Sequence, residues 1–258
     1  MERAEQFFDF AAEVGFTKHM GGVEATDVLV ELCHIGQGSY VLDVGCGAGA
    51  TAVYLIKQHG CRVAGVDILP RMIDRARETA RREGVEDRTE FRVADAQELP
   101  FDDETFDAVI TESVAAFPED KQRAASEYAR VTKAGGYVGL NESTWLQTPP
   151  PPEMLAWVSQ EVGAQVKPLT REEWVGLLEG AGLEEVTARV HHVDTRDEAG
   201  RMMRRYGCLG MLRVWGRTLR LYAKNAAYRR FVKRVRQGGL TPENLDEYFG
   251  YGLYVGRK

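Results

Sequence analysis

A glycine-rich turn is the first place in the sequence where residue types and spacing point to chemistry. Residues 41–49 read VLDVGCGAG, an apolar run that ends in a G-x-G-x-G turn ahead of a helical stretch. Glycine is needed in such a turn because the chain bends sharply and a ligand must approach bare backbone. With Ala50 the turn also fits the looser G-x-G-x-x-G/A pattern of dinucleotide sites, and a purely structural tight turn is the alternative.

Two carboxylates follow at the ends of the next two predicted strands. Asp67 lies 22 residues after Gly45, where a carboxylate can accept both hydroxyls of a ribose; the alternative is a cap for the helix that begins near Pro70. Asp95 can accept the exocyclic amine of adenine while Ala96 offers a backbone N–H, and the alternative is a turn-initiating aspartate. Because the carboxyl ends of parallel strands share one edge of a sheet, these groups are expected to line one site.

The elements that must position these residues alternate between β-rich runs and helical stretches from residue 39 to residue 142. That alternation predicts an α/β domain with a parallel sheet. Strands are expected at 40–44, 62–66, 89–94, 106–111 and 137–141, then at 183–193 and 247–257. Helices are expected at 50–59, 70–83, 119–132 and 170–180, and four prolines at 149–152 predict a stiff connector.

Composition excludes several classes of protein. A chain of 258 residues with 44% hydrophobic and 28% charged side chains can bury a real core, so disorder is not its dominant state. No run approaches the roughly 18 apolar residues of a membrane span, and the polar first residues lack a signal-peptide core, so a cytoplasmic location is expected. The four cysteines are scattered without metal-binding spacing, and no metal site is expected.

The sequence resembles the class I S-adenosylmethionine (SAM)-dependent methyltransferases. It is most similar to their small-molecule, methyltransferase type 11 group, which includes quinone-biosynthesis enzymes. The resemblance is close over about residues 19–142. It rests on VLDVGCGAG at 41–49, VDI at 66–68, ADAQELPF at 94–101, FDAV at 106–109 followed by Glu112, and GGYVG at 135–139. It implies a doubly wound, seven-stranded, mostly parallel α/β sheet whose last strand is antiparallel, with a helical insertion before that strand.

The resemblance also implies a division of the chain and a set of cofactor contacts. Within a single domain (1–258) it implies an N-terminal helical cap (1–38), a SAM-binding core (39–142), a connector (143–169) and a basic helical insertion or lid (197–240). Gly45 and Gly47 would lie against the methionine part of SAM, and Asp67 and Asp95 would bind the ribose and the adenine. The full set of implied cofactor residues is Gly22, Asp43, Gly45, Cys46, Gly47, Asp67, Ile68, Met72, Asp95, Ala96 and Glu112.

The reaction implied is transfer of a methyl group from SAM to a small-molecule acceptor. A general base is needed only when the acceptor arrives protonated, and no residue of the sequence is assigned that role. His19 and Glu112 are the leading candidates, followed by Glu142, His191 and Tyr206, and each has a structural role as its alternative. A nicotinamide-dependent oxidoreductase and a non-catalytic SAM-binding protein are the alternative functions.

A basic arm interrupts the otherwise acidic chain. Residues 199–242 contain twelve arginines or lysines and no carboxylate, so with a net charge of −6 the remainder carries −18. Apolar residues from Cys208 to Ala226 recur at steps of three and four, which predicts one apolar face of a helix that glycines such as Gly207 interrupt near its start. Three roles stay open: a lid or homodimer helix, a surface that attracts an anionic or lipid-like substrate or a membrane, and RNA binding, the least favoured.

Overall fold

A computed structural model describes residue 10 and residues 19–161, 166–192, 198–237, 242 and 244–258. Its strands are β1 (Tyr40–Val44), β2 (Arg62–Asp67), β3 (Thr89–Val93), β4 (Phe106–Glu112), β5 (Thr132–Trp145), β6 (Leu169–Thr170), β7 (Glu184–His192) and β8 (Phe249–Arg257). Its helices are α1 (Gly22–Leu32), α2 (Ala50–His59), α3 (Pro70–Glu83), α4 (Lys121–Val131), α5 (Pro152–Glu161), α6 (Arg171–Gly180), α7 (Glu198–Lys224), α8 (Ala226–Gln237) and α9 (Leu245–Tyr248), with a 3-10 turn at Glu86–Arg88.

The strands form one mostly parallel sheet in the order β3-β2-β1-β4-β5-β8-β7. β8 runs antiparallel to both of its neighbours, and β6 adds a two-residue pairing to the end of β5. The predicted doubly wound sheet with an antiparallel last strand is therefore confirmed, and β6 is an addition that the prediction did not include. The strand order reverses beside β1, and open α/β sheets bind ligands at the carboxyl edge of such a point.

Two apolar cores hold the helices against opposite faces of the sheet. On β1 alternate residues point to opposite faces, so Val41 joins one core and Leu42 the other. Leu29 of α1, Leu55 of α2 and Ile73 of α3 fill the first core. The side chains that fill the second from the helical side include Tyr128 of α4 and Trp174 and Leu178 of α6.

Several boundaries differ from those that the sequence predicts. The fifth strand was expected over 137–141, but β5 runs from Thr132 to Trp145 because β8 pairs with it along its whole second half. The connector expected over 143–169 thus begins inside β5 and contains α5, which Pro152 opens. Proline is tolerated there because the first N–H groups of a helix have no partner within the helix. The last strand was expected from residue 247, but residues 247–248 complete α9.

The basic arm forms two helices, α7 and α8. Gly207 has a non-helical backbone (φ 61°, ψ 173°), which confirms the predicted interruption. Asn225 separates the helices, and its Oδ1 accepts hydrogen bonds from the N–H groups of Ala227 and Tyr228 (2.9 and 3.1 Å), so it caps α8. The apolar face that the spacing predicts is present on α7, but Leu212, Trp215, Leu219 and Tyr222 are exposed there. The buried side chain in this part of α7 is Leu221, with Val214 partly buried, on another face of the helix.

Candidate cofactor and acceptor site

The glycine loop follows β1 at the carboxyl edge of the sheet. The N–H groups of Gly45 and Cys46 both donate to the carbonyl oxygen of Val66 in β2, at 2.7 and 2.9 Å. Gly45 has φ +74°, and a Cβ placed on it would overlap the side chain of Val114 in the loop after β4. Glycine is therefore required at this position both by the backbone conformation and by the close approach of Val114.

Asp67 ties the end of β2 to the glycine loop. Its Oδ2 accepts the N–H of Gly47 at 3.0 Å, and its Oδ1 accepts the N–H of Leu69 at 2.9 Å. Burial raises the pKa of Asp67, and these two hydrogen bonds oppose the increase. Leu69, not Asp67, is the N-cap residue of α3, so the capping alternative is wrong. A carboxylate offers about four lone-pair sites, so acceptor capacity remains for ribose hydroxyls.

The residues expected around the adenosine differ in how much surface they offer. Ile68 follows Asp67 and is 63% exposed, whereas Met72 in α3 is 3% exposed and packs into the protein. Asp95 accepts hydrogen bonds at Oδ1 from the N–H and the side-chain amide of Gln97, at 2.9 and 3.1 Å, so it does initiate a turn. The carboxylate still has lone pairs to accept an amine, and Ala96 is partly exposed beside it.

Gln97 is a residue whose role sequence reasoning missed. Besides its bonds to Asp95, its Oε1 accepts the N–H of Asp120 at 3.0 Å, at the N-cap of α4. The amide therefore fixes the carboxylate of Asp95 relative to α4. The sequence signal was only the Asp-x-Gln spacing after a strand, which is typical of many turns.

Glu112 lies at the centre of a buried polar cluster. Its Oε1 accepts the hydroxyl of Thr26 at 2.9 Å, and its Oε2 accepts the hydroxyl of Thr51 at 3.0 Å. The Nδ1 of His19 is 3.3 Å from Oε1, and only 4% of each of these two side chains is exposed. Asn141 donates from Nδ2 to the carbonyl oxygen of Met20 at 2.8 Å, which holds the segment before α1 against β5.

The cluster brings the two leading catalytic candidates together but gives both of them structural partners. Glu112 joins α1, α2 and β4, and the Nε2 of His19 is 3.4 Å from the Thr26 hydroxyl. Thr26, Thr51 and Asn141 were not singled out in the sequence, because their partners lie from 61 to 122 residues away. Gly22 opens α1 beside this cluster with φ +63°, and Asp43 is buried in β1 just before the glycine loop.

Glu142 holds the loop after β4. Its Oε1 accepts the N–H groups of Val114 and Ala115, at 2.7 and 2.6 Å, and its Oε2 has no hydrogen-bond partner within the described residues. Burial raises the pKa of Glu142 to about 7, whereas the backbone hydrogen bonds and the charge of Lys121 act in the opposite direction. Because Val114 also packs against Gly45, this carboxyl group fixes one wall of the glycine loop.

The remaining residues singled out in the sequence give, within the described part of the chain, no further candidate for a general base beside the glycine loop. His191 is in β7 at the far edge of the sheet, where it stacks on Tyr251 with ring centroids 5.1 Å apart. The side chain of Tyr206 lies outside the described residues. Cys46 is buried in the glycine loop, and burial together with Asp43 and Asp67 raises the pKa of its thiol, which therefore stays protonated at neutral pH.

The sequence matches a known family over the segment that contains the glycine loop. Residues 41–136, which include the glycine loop and both strand-end aspartates, match the family model described as a methyltransferase domain. An uncharacterised protein of Haemophilus influenzae is 33% identical over 189 residues, which is 72% of this chain and 75% of that protein. The chain belongs to the class I SAM-dependent methyltransferases. SAM is accordingly its cofactor.

Two further proteins are similar to this methyltransferase. The 27-O-demethylrifamycin SV methyltransferase of Amycolatopsis mediterranei is 33% identical over 165 residues, which is 63% of this chain but only 60% of that enzyme. The crystal structure of the [4+2]-cyclase SpnF superposes with a TM-score of 0.71 and 20% identity, over 98% of this chain and 94% of the cyclase. At that identity the likeness shows a shared fold, and the cyclase takes its name from a different reaction.

Proposed function

We propose that this methyltransferase transfers the methyl group of SAM to an amphiphilic small-molecule acceptor that is anionic or lipid-like. The observation that carries the acceptor class is the basic arm. β7 ends and β8 begins at neighbouring positions, since His192 pairs with Gly250, and both lie at the edge where β5 ends. The arm between them therefore leaves the sheet at the carboxyl edge, where its exposed cations and apolar side chains can meet an acceptor.

Cofactor binding would use the residues along that edge. SAM supplies a methyl group already activated on a sulfonium, so positioning and exclusion of water provide much of the rate. Asp67 would accept the ribose hydroxyls, and the exposed side chain of Ile68 would pack on the adenosine. The other contacts would come from Asp95 and from the residues implied by the resemblance, which are Gly22, Asp43, Gly45, Cys46, Gly47, Met72, Ala96 and Glu112.

His19 and Glu112 stay candidates for moving a proton from the acceptor. Their separation of 3.3 Å would let a proton taken up by the imidazole be stabilised by the carboxylate. Their burial and their contacts with Thr26 and Asn141 support a positioning role equally well. A His19→Gln variant separates the two roles, because loss of a base removes the part of the kcat profile in which kcat falls as the base is protonated, whereas loss of a positioning contact changes KM and keeps the shape of that profile.

Calorimetric titration with S-adenosylhomocysteine tests the cofactor site. We expect micromolar binding by the wild-type protein, loss of binding in Asp67→Ala, and no change in Asp74→Ala, whose carboxylate is exposed on α3. A second assay measures methyl transfer to matched acceptors that carry an anionic, a zwitterionic or a neutral head group on the same chain. Absence of binding by folded wild-type protein would refute the cofactor site, and equal turnover of all three acceptors would refute the acceptor class.

Two further statements stay predictions with their own tests. A cytoplasmic location is checked by fractionation of the native host. Among the described residues no helix has the length and apolar character needed to cross a bilayer. A homodimer is checked by light scattering coupled to size exclusion, where a mass near 58 kDa, twice the 28.8 kDa of the chain, would support it and a mass of one chain would refute it.

A further inference from the structure

An exposed apolar stripe runs along α7. Leu212, Trp215, Leu219 and Tyr222 are 68%, 61%, 62% and 46% exposed. Their spacings of three, four and three residues place them on one side of the helix. Within the described part of the chain only three other large apolar side chains are exposed to a comparable extent, at separate places, so this stripe is a local feature of the arm.

The stripe is not the face by which α7 packs against the protein. Leu221, which is buried, and Val214, which is partly buried, join a small core with Phe10 and Tyr228. On a helix with 100° per residue, Leu221 lies about 140° from the centre of the stripe. The protein therefore holds α7 in place by one face and leaves a second apolar face exposed.

Exposed cations on α7 and α8 lack a carboxylate partner among the described residues, although Arg229 donates hydrogen bonds to the carbonyl oxygens of Tyr222 and Ala223, at 3.0 and 2.9 Å. Arg213, Arg220 and Lys224 are exposed on a different face of α7, about 120–160° around the helix from the centre of the stripe, and Arg229 and Lys233 extend the charge along α8. Among the described residues, no carboxylate lies within 4 Å of the charged nitrogens of these five side chains.

We propose that α7 and α8 dock the protein on an anionic lipid surface. Leucine with tryptophan and tyrosine beside arginine and lysine is the composition of helices that lie in the head-group region of a bilayer. The remainder of the chain, with a charge of −18, is repelled by the same surface, so the protein approaches with its arm first.

The size of the stripe favours a lipid surface over a second copy of the chain. Four side chains at these exposures offer on the order of 500 Å² of apolar contact, whereas a standard protein interface buries about 800 Å² on each partner. Adsorption to a bilayer has no such threshold, because each cation near an anionic surface adds its own contribution. A second copy is the alternative that the experiment must exclude.

Docking would bring the methyl-transfer site to the bilayer. The arm begins and ends at the carboxyl edge of the sheet, where β7 and β8 meet. The role of this docking in catalysis rests on the proposed function, since it would let an amphiphilic acceptor pass from the lipid to the site without crossing water. The adsorption itself requires neither cofactor nor turnover.

Vesicle flotation of the full chain without SAM tests the docking. One set of vesicles is phosphatidylcholine alone, and the other contains 30 mol% phosphatidylglycerol. We expect binding to the anionic set only, weakened by 0.5 M NaCl, with a blue shift of tryptophan emission that is absent in Trp215→Ala. The double variant Arg213→Gln, Arg220→Gln should weaken partitioning about thirtyfold. This factor corresponds to about 2 kcal/mol, because each cation near an anionic surface contributes about 1 kcal/mol and a factor of ten corresponds to about 1.4 kcal/mol.

Matched variants and a mass measurement decide between the alternatives. Leu155→Ala removes an exposed apolar side chain from α5, and Arg171→Gln removes an exposed cation from α6, so neither should change partitioning. Three results would overturn the proposal: no binding to anionic vesicles at low salt, equal losses in the α7 variants and these controls, or a solution dimer that the Trp215→Ala substitution dissociates. Titration with S-adenosylhomocysteine on the same samples reports separately on the cofactor site.

Discussion

The buried carboxyl group of Glu142 makes a measurable contribution to how stability depends on pH. Burial raises the pKa of Glu142 from its ordinary value of 4.5 to about 7. The unfolded chain therefore ionises this group at a lower pH than the folded protein does. Its contribution to stability is fully present below about pH 4.5 and is lost as the pH rises through 7. From pH 5 to pH 8 the loss is about 2.5 kcal/mol, because one pKa unit corresponds to about 1.4 kcal/mol.

Glu142→Gln removes this titration with little change of shape. The amide oxygen can still accept the N–H groups of Val114 and Ala115, which Glu142 Oε1 accepts at 2.7 and 2.6 Å. Urea unfolding, followed by circular dichroism at pH 5, 6, 7 and 8, gives the free energy of unfolding of both proteins. Between pH 5 and pH 8 we expect the free energy of unfolding of the variant to rise by about 2.5 kcal/mol relative to that of the wild type.

The comparison between variants isolates this one group from every other titrating residue. Glu153→Gln serves as the control, because it makes the same substitution at a carboxyl group that is exposed on α5. If the difference between Glu142→Gln and the wild type is the same at pH 5 and pH 8, the reasoning from burial is refuted. A difference between the proteins in m, the slope of the free energy of unfolding against urea concentration, would instead mean that they expose different amounts of surface on unfolding and cannot be compared in this way.

Three further predictions concern single contacts. Gly45→Ala should lower the free energy of unfolding by about 2 kcal/mol and abolish S-adenosylhomocysteine binding in calorimetry, because the backbone angle φ of +74° and the side chain of Val114 both oppose a Cβ. Unchanged binding would contradict this prediction. Trp174→Phe should cost about 2 kcal/mol in urea unfolding, because the carbonyl oxygen of Ser143 loses the indole N–H at 3.1 Å. Thr170→Ala should cost about 1 kcal/mol and Thr170→Ser much less, since Thr170 caps α6; equal costs would contradict a capping role.

Local sequence chemistry was enough to predict the parallel strands and the edge of the sheet at which the glycine loop and the two aspartates lie, and the resemblance supplied the rest of the sheet. The glycine loop, Asp67 and Asp95 each follow a strand within a few residues, so a short window of sequence contains both the element and the group it positions. The choice between their alternative roles needed coordinates. Asp67 could have capped α3, and only its bond to Gly47 shows that it supports the glycine loop.

Long-range contacts account for what the sequence could not predict. Glu112 meets Thr26 and Thr51, which are 86 and 61 residues away, and no spacing rule connects them. In the arm, periodicity identified an apolar face, but it could not say whether that face or the one that contains Leu221 is buried. Which face of a helix becomes buried depends on the segments against which it packs, and the sequence of the helix alone does not identify those segments.

The neighbouring ends of β7 and β8 have a consequence for how such a chain can evolve. The chain leaves the sheet after His192 and returns at Phe249, and the pairing of His192 with Gly250 closes that excursion independently of the 56 residues within it. Doubling the length of such an excursion costs only about 0.6 kcal/mol of chain entropy. Insertions, deletions and whole exchanges of the arm can therefore occur while the carboxyl edge of β1, β2 and β3 stays unchanged.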